Sequence, residues 1–324
     1  MSDNQKMDLL EPSENRFVLH PIKYPDVFKM GKDAIASFWT VEELDFDNDI
    51  AEFSKMTFAE QHFIRQILAF FASADGIVIE NLVENFCSEV QLPEARYFYS
   101  YQSFNEQVHA ETYAKLLEVY IGDGIQELLE ETRNSKAVQA KTDFAKKHFD
   151  IDEPDKYKNF AKRLVAFCCV EGINFSSSFC GIYWIKERYE CRALTLSNEF
   201  ISRDEGLHRN FAVKLYNKFM HNLTDEEITD IVKDSVAVEE VWVRESALPG
   251  RMQGMNQDLM MQYVKYTADI LLRDLGVKSY YKVKNPFKFM DQISVGCKTN
   301  FFERRVSEYA LSSTKQEFNL DEDF

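Results

Sequence analysis

Two Glu-x-x-His steps, Glu106–His109 and Glu205–His208, lie in helix-patterned stretches of the chain, and each follows an acidic residue set in an apolar run, Asp75 or Glu171. Residues three apart on a helix share a face, so each step turns a carboxylate and an imidazole toward one point. Two such steps with two further carboxylates make the six-ligand set of a dinuclear metal site, and that site forms where four helices face one another in a bundle. A single Glu-x-x-His is at home on a solvated helix face, so the flanks decide. Asp75 sits in AFFASADGIVI and Glu171 in LVAFCCVEGINF, apolar nearly all round, which marks a buried helix. A buried carboxylate needs a partner or a metal, because desolvation is costly. Four acids and two imidazoles in one core call for positive charge, and neither run contains Lys or Arg. Two divalent cations supply it. A carboxylate-rich, His-poor donor set suits iron or manganese rather than structural zinc.

The rest of the pattern is helical. Thr57-x-x-Glu60 reads as a capping box, followed by Phe63, Ile67, Phe70, Phe71, Ala74, Ile77 and Val78 at steps of three and four, and the run continues to about Glu89 before Leu92-Pro93 breaks it. A second helix is predicted from about Glu94 to Ile121, ended by Gly122 and Gly124. A polar helix and a loop around Glu153-Pro154 lead to a third long helix, about Lys156 to Glu187, and a fourth from about Leu194 to Met220. Later helices begin near Thr224, again with a capping box (Glu227), and near Gln257. No alternating strand pattern appears, so the fold class is all-α. In each half, the acid before a break and the Glu-x-x-His step after it stand about equally far from the break. Two antiparallel helix hairpins would therefore place their ligands in one layer. Residues 1–30 read as an irregular arm, 31–309 as one helical domain, and 310–324 as a flexible tail, because ALSSTKQEFNLDEDF is acidic and has no hydrophobic period.

Several function classes are disfavoured. The formal net charge of −16 opposes nucleic-acid binding, and the 11 glycines form no phosphate-cradling motif. No apolar stretch approaches the ~18 residues of a bilayer span, and MSDNQKMDLLEPSE has no signal-peptide pattern. The six cysteines (Cys87, Cys168, Cys169, Cys180, Cys191 and Cys297) form no C-x-x-C pair and sit mostly in apolar helical context. Buried free thiols in a reducing, cytoplasmic setting are the expectation.

Tyr113 follows His109 by one helical turn, on the same face. Phe175 and Phe179 follow Glu171 by four and eight, and Ile201 precedes Glu205 by four. In antiparallel helices these displacements point to one side of the metal layer, which makes a dry apolar pocket for a phenol. A phenol beside an oxidising metal pair and shielded from water is suited to forming and keeping a radical.

At this point the chain resembles the small subunit of class I ribonucleotide reductases, in their eukaryotic and viral branch. The resemblance is carried by SFWTVEELD around Trp39, ASADGIVIENLVENF around Asp75, NEQVHAETY ending at Tyr113, VEGINFSSSF around Glu171, SNEFISRDEGLHRNF around Glu205 and His208, NPFKFMDQISVGCKTNFFERRVSEY, and the closing FNLDEDF. It implies a ferritin-like helical bundle with additional helices. It implies a di-iron-oxo centre, with manganese as a possible substitute, that reduces O2 and oxidises Tyr113 to a tyrosyl radical. Asp75, Glu106, His109, Glu171, Glu205 and His208 would be the metal ligands. Trp39, Asp204 and Tyr309 would pass the oxidising equivalent to a large subunit, where ribonucleoside diphosphates are reduced for deoxyribonucleotide synthesis and DNA replication. Asp204 would link His109 to Trp39 by hydrogen bonds. Phe318, Leu320 and Phe324 of the tail would anchor that large subunit, and the chain would be a homodimer. Asn319 departs from the Ser or Thr that relatives often carry there. The competing expectations are a ferritin-like iron storage protein, which needs neither the dry tyrosine nor the tail, and another di-iron oxidase, which needs an open substrate channel.

Overall fold

Apolar residues at steps of three and four build long helices here, and the connections fall where proline, glycine or a capping side chain interrupts the ladder. The computed structural model describes residues 8–12, 14–81, 86–248, 252 and 254–290, the side chains of 15, 74–81, 246 and 247 excepted. Its principal helices are α1 (Pro25–Ala36), α2 (Asp49–Phe53), α3 (Phe58–Asn81), α4 (Pro93–Tyr120), α5 (Ile125–Arg133), α6 (Lys136–Phe149), α7 (Lys156–Cys169), α8 (Ser176–Lys186), α9 (Arg192–Leu215), α10 (Asp225–Val241) and α11 (Gln257–Asp274). There is no β-strand among the described residues.

Both capping boxes form. The Thr57 N–H and hydroxyl each donate to Glu60 Oε2 at 2.8 Å. The Thr224 N–H donates to Glu227 Oε2 at 3.0 Å, and the Glu227 N–H returns a bond to Thr224 Oγ1 at 3.2 Å. The helix α3 packs along α4, α7 and α8 pack along α9, and α4 meets α9 across the middle. These are the two hairpins that the ligand spacing predicts. The first turn of α9 is tied down by buried Asp49, which accepts from the N–H groups of Ala193 and Leu194 at 3.2 and 2.9 Å and from the Tyr120 hydroxyl at 2.7 Å. Phenylalanine, present 27 times in the chain, fills much of the interior, with Phe63, Phe70, Phe71, Phe86, Phe98, Phe160 and Phe167 almost wholly buried.

Four local features differ from the sequence reading. The third long helix is not one α-helix, because a π-turn, Val170–Asn174, separates α7 from α8 and carries Glu171. A π-turn inserts one residue, and in a segment apolar all round there is no periodic stripe whose shift would betray it. The arm of residues 1–30 gives way to α1 at Pro25, where a proline in the first turn forfeits no hydrogen bond. Gly31 lets α1 approach α4 closely, since a Cβ there would lie 2.7 Å from the Tyr97 ring. The polar stretch before Glu153 forms two helices, α5 and α6, with the Ser135 hydroxyl capping the second at 3.3 Å. Finally, the continuous helical segment Lys156–Lys186 is long and apolar enough to cross a bilayer, contrary to expectation. Most of its apolar stretch is buried inside the protein, and the core helix of a large bundle shares that composition. Cys87 and the buried Cys168, Cys169, Cys180 and Cys191 are free thiols. Cys297, Tyr309, Phe318, Leu320 and Phe324 lie outside the described residues, as does the side chain of Asp75, although its backbone belongs to α3.

Candidate metal centre

The helical period of α4 turns Gln102, Asn105, Glu106, His109 and Tyr113 inward, all buried. From α9 come Ile201, Asp204, Glu205 and His208, also buried, and the π-turn supplies Glu171, 4% exposed. Donor atoms of Glu106, Glu171, Glu205 and His208 all lie within 4.8 Å of one another. His109 joins them, its Nδ1 standing 3.2 Å from both Glu106 Oε2 and Glu205 Oε1. Five of the six ligands predicted from sequence therefore converge. The sixth, Asp75, has its side chain outside the described residues.

Some of these donors stand within hydrogen-bond distance of one another, His109 Nδ1 of Glu106 Oε2 at 3.2 Å and His208 Nδ1 of Glu205 Oε2 at 3.1 Å. Glu106 Oε1 lies 3.0 Å from His208 Nδ1 yet makes no hydrogen bond. Two ligands each about 2.1 Å from one octahedral ion and at right angles to it stand about 3.0 Å apart, so this approach fits a shared cation. The carboxylate-rich donor set fits a pair of hard or borderline divalent metals.

Behind the donors is an orienting network. His109 Nε2 faces Asp204 Oδ2 at 3.3 Å, and the same oxygen accepts from Trp39 Nε1 at 2.7 Å and Asn105 Nδ2 at 3.2 Å. Arg203 donates to Asp204 Oδ1 at 2.8 Å and to the Ser37 carbonyl at 2.8 Å. Gln102 Nε2 donates to Glu171 Oε1 at 3.2 Å. A carboxylate behind a ligating imidazole fixes its tautomer and raises its basicity, which leaves His109 Nδ1 facing the cluster. On the other side Tyr113, 3% exposed, stacks on Phe71 at 4.7 Å between centroids and 14° between planes. Phe71 in turn packs on Phe179 at 5.0 Å and Phe175 at 5.9 Å.

The family model described as "Ribonucleotide reductase, small chain" matches residues 16–286. The chain belongs to this family. It is 46% identical to the ribonucleoside-diphosphate reductase small chain of Trypanosoma brucei brucei over 98% of this chain and 95% of that one. It is also 46% identical to the small chain of Nicotiana tabacum, over 98% of each. Among solved structures it resembles the Rnr4 homodimer of Saccharomyces cerevisiae, with a TM-score of 0.81 and 30% identity, covering 95% of this chain and 94% of that one. The dimanganese(II)-NrdF of Streptococcus sanguinis shares the fold, with a TM-score of 0.71 at 14% identity, over 84% of this chain and 96% of that one. The protein is thus a small subunit of ribonucleoside-diphosphate reductase, an oxidoreductase that works with a large subunit.

In this small chain the electrostatics follow from packing acids and imidazoles without water. Burial opposes the charged form of His208, but the Glu106 and Glu205 carboxylates outweigh it and raise its pKa to about 9. Burial likewise works against the Asp204 carboxylate, yet His109, Arg203 and Trp39 together hold it below the usual range. Burial opposes the Glu205 carboxylate too, and contacts from Glu171, His109 and His208 keep it well below the ordinary value. The cluster therefore draws positive charge, as proton or as metal.

Sequence reading missed Gln102, Asn105, Arg203 and Phe71. Gln102 and Asn105 stand four residues before Glu106 and His109, so the inward stripe of α4 was signal enough for both amides. Arg203 had none, because its role depends on Ser37, 166 positions away.

Proposed function

We propose that this small chain binds two metal ions, natively iron, and uses them with O2 to place a persistent radical on Tyr113, from which the oxidising equivalent passes to the large subunit. The observation that carries this reading is a buried phenol one turn beyond a donor histidine, stacked on Phe71, which itself packs on Phe179. Asp75, Glu106, His109, Glu171, Glu205 and His208 would hold the metals. Bound iron would supply the one-electron oxidising power that O2 brings. Tyr113 gives up one electron and its phenolic proton, and Phe71, Phe175, Phe179 and Ile201 keep water and reductants from the radical. Asp204 holds His109 in one tautomer and, through Trp39, extends a hydrogen-bonded line from the cluster outward. Tyr309 would take the oxidising equivalent onward, and Phe318, Leu320 and Phe324 would dock the tail on the large subunit. Two copies associate, as in the homodimer of the yeast relative, and the protein works in the cytoplasm. Manganese is the substitute load, as in the dimanganese(II) streptococcal relative.

The test is to load the apo-protein with Fe(II), admit O2 and record its electron paramagnetic resonance beside that of Tyr113→Phe. A tyrosyl signal confined to the unmutated protein is expected. A signal that survives in the variant would move the radical elsewhere, and oxidised iron without an organic radical would favour a di-iron oxidase. Deleting residues 318–324 should leave the signal intact and abolish co-sedimentation with the large subunit.

A further inference from the structure

Beside the π-turn, Lys141 of α6 and Glu239 of α10 meet inside the protein. The Lys141 ammonium lies 2.6 Å from Glu239 Oε2, with the side chains 10% and 0% exposed. Lys141 also donates to the backbone carbonyl of Asn174, the last residue of the π-turn. The second Glu239 oxygen accepts from the Ser177 hydroxyl and from the Ser177 N–H at 3.4 Å. Ser235, one turn before Glu239, donates to Asn174 Oδ1 at 2.7 Å. Trp242 Nε1 donates to Ser178 Oγ at 3.1 Å. The chain just after Glu171 is thus held by polar groups from α6, from α10 and from the residue that follows α10. The Lys141 ammonium also sits 4.0 Å above the ring of Phe70, which packs on Phe175 at 5.8 Å.

Stability does not account for this arrangement, since a buried ion pair contributes about as much as the apolar side chains that could replace it. Geometry does. A π-turn interrupts the α-helical ladder and holds one residue more than an α-turn. Relaxation to α-helix would swing Glu171 by about 100° about the helix axis, one residue's rotation at 3.6 residues per turn.

We propose that the Lys141–Glu239 pair clamps the π-turn and so holds the Glu171 carboxylate at the metal site, making both of them positioning residues. This rests on Glu171 being a ligand, as the function above requires. The test is titration of apo-protein with Co(II), followed by calorimetry and by the d–d absorption that reports coordination geometry. Unmutated protein is expected to take up two ions per chain. The Lys141→Met/Glu239→Gln double variant keeps volume while removing both charges, and should retain its helical circular dichroism. It should bind one ion about tenfold more weakly, with an altered d–d spectrum, in line with the effect of losing a group that orients a ligand. An unchanged spectrum and affinity in the folded double variant would overturn the clamp. If that variant does not fold, Glu239→Gln alone, which keeps an acceptor for Ser177, is read the same way. Failure of the unmutated protein to bind cobalt would instead remove the metal-site reading, and the clamp with it.

Discussion

His109 and His208 occupy equivalent places in the two halves of the bundle, each three residues after a glutamate on a long helix, and each turns Nδ1 toward Glu106 and Glu205. Their far sides differ. Behind His109 stands a charged and hydrogen-bonded line, Asp204 and then Trp39, whose indole also stacks near the imidazole at 6.2 Å and 22°. Behind His208, Nε2 finds no hydrogen-bond partner among the described residues, and Phe98 meets the ring edge-on at 6.3 Å and 87°. Phe98 is itself stacked on Phe211 at 3.7 Å. The Glu-x-x-His step is repeated, and the surroundings are not. One half offers a polar exit for charge, and the other insulates it.

The sharpest way to break this comparison is Asp204→Asn, which keeps the shape and removes the charge. We expect nucleotide reduction to fall 10- to 100-fold, with two metals still bound, measured by reductase assay beside metal analysis. An equal loss on changing Phe98 would erase the distinction between the halves. Next in size is a proton linkage. Because His208 keeps its proton up to about pH 9, a metal entering below that pH must expel it. Affinity should rise about tenfold per pH unit for each imidazolium displaced, and calorimetry in buffers of different ionisation enthalpy would count the protons. A pH-independent affinity would contradict the charge pattern derived for the cluster. Phe98→Leu should cost about 1–2 kcal/mol through imperfect refilling of its site, seen as a lowered Tm, while activity stays within about twofold. The smallest expected effect is Gly172→Ala, in the half that alone carries a π-turn at its ligand. An added Cβ would meet Arg209 Cδ at 2.7 Å, and because that side chain can shift, about 1 kcal/mol of thermal stability should be lost.

The convergence of the two Glu-x-x-His steps with Glu171 was legible from sequence, because Glu-x-x-His spacing is a direct statement about one face of a helix, and an acid amid LVAFCCVEGINF has few reasons to be there. The capping boxes at Thr57 and Thr224 were legible for the same local reason. What escaped was set by tertiary packing. Lys141 sits in KAVQAKTDFAKKHF with three other lysines, Lys136, Lys146 and Lys147, and nothing in the string says that this one is buried against Glu239, 98 positions away. The pairing of Trp39 with Asp204 spans 165 positions and came from the family resemblance alone. The π-turn left no trace because its flanks are apolar on every side.

The apolar continuity of Lys156–Lys186 has a further consequence, for synthesis. Of the helices that shelter it, α3 and α6 precede it in the chain, whereas α9, α10 and α11 follow it. A nascent chain elongating at 5–20 residues per second needs on the order of ten seconds to add the about 90 residues that complete them. For that interval a segment that could pass for a membrane span stands without the later part of its cover. Ribosome-associated chaperones should therefore grip this stretch more than any other, and slowed translation just after Lys186 should lower the yield of soluble protein.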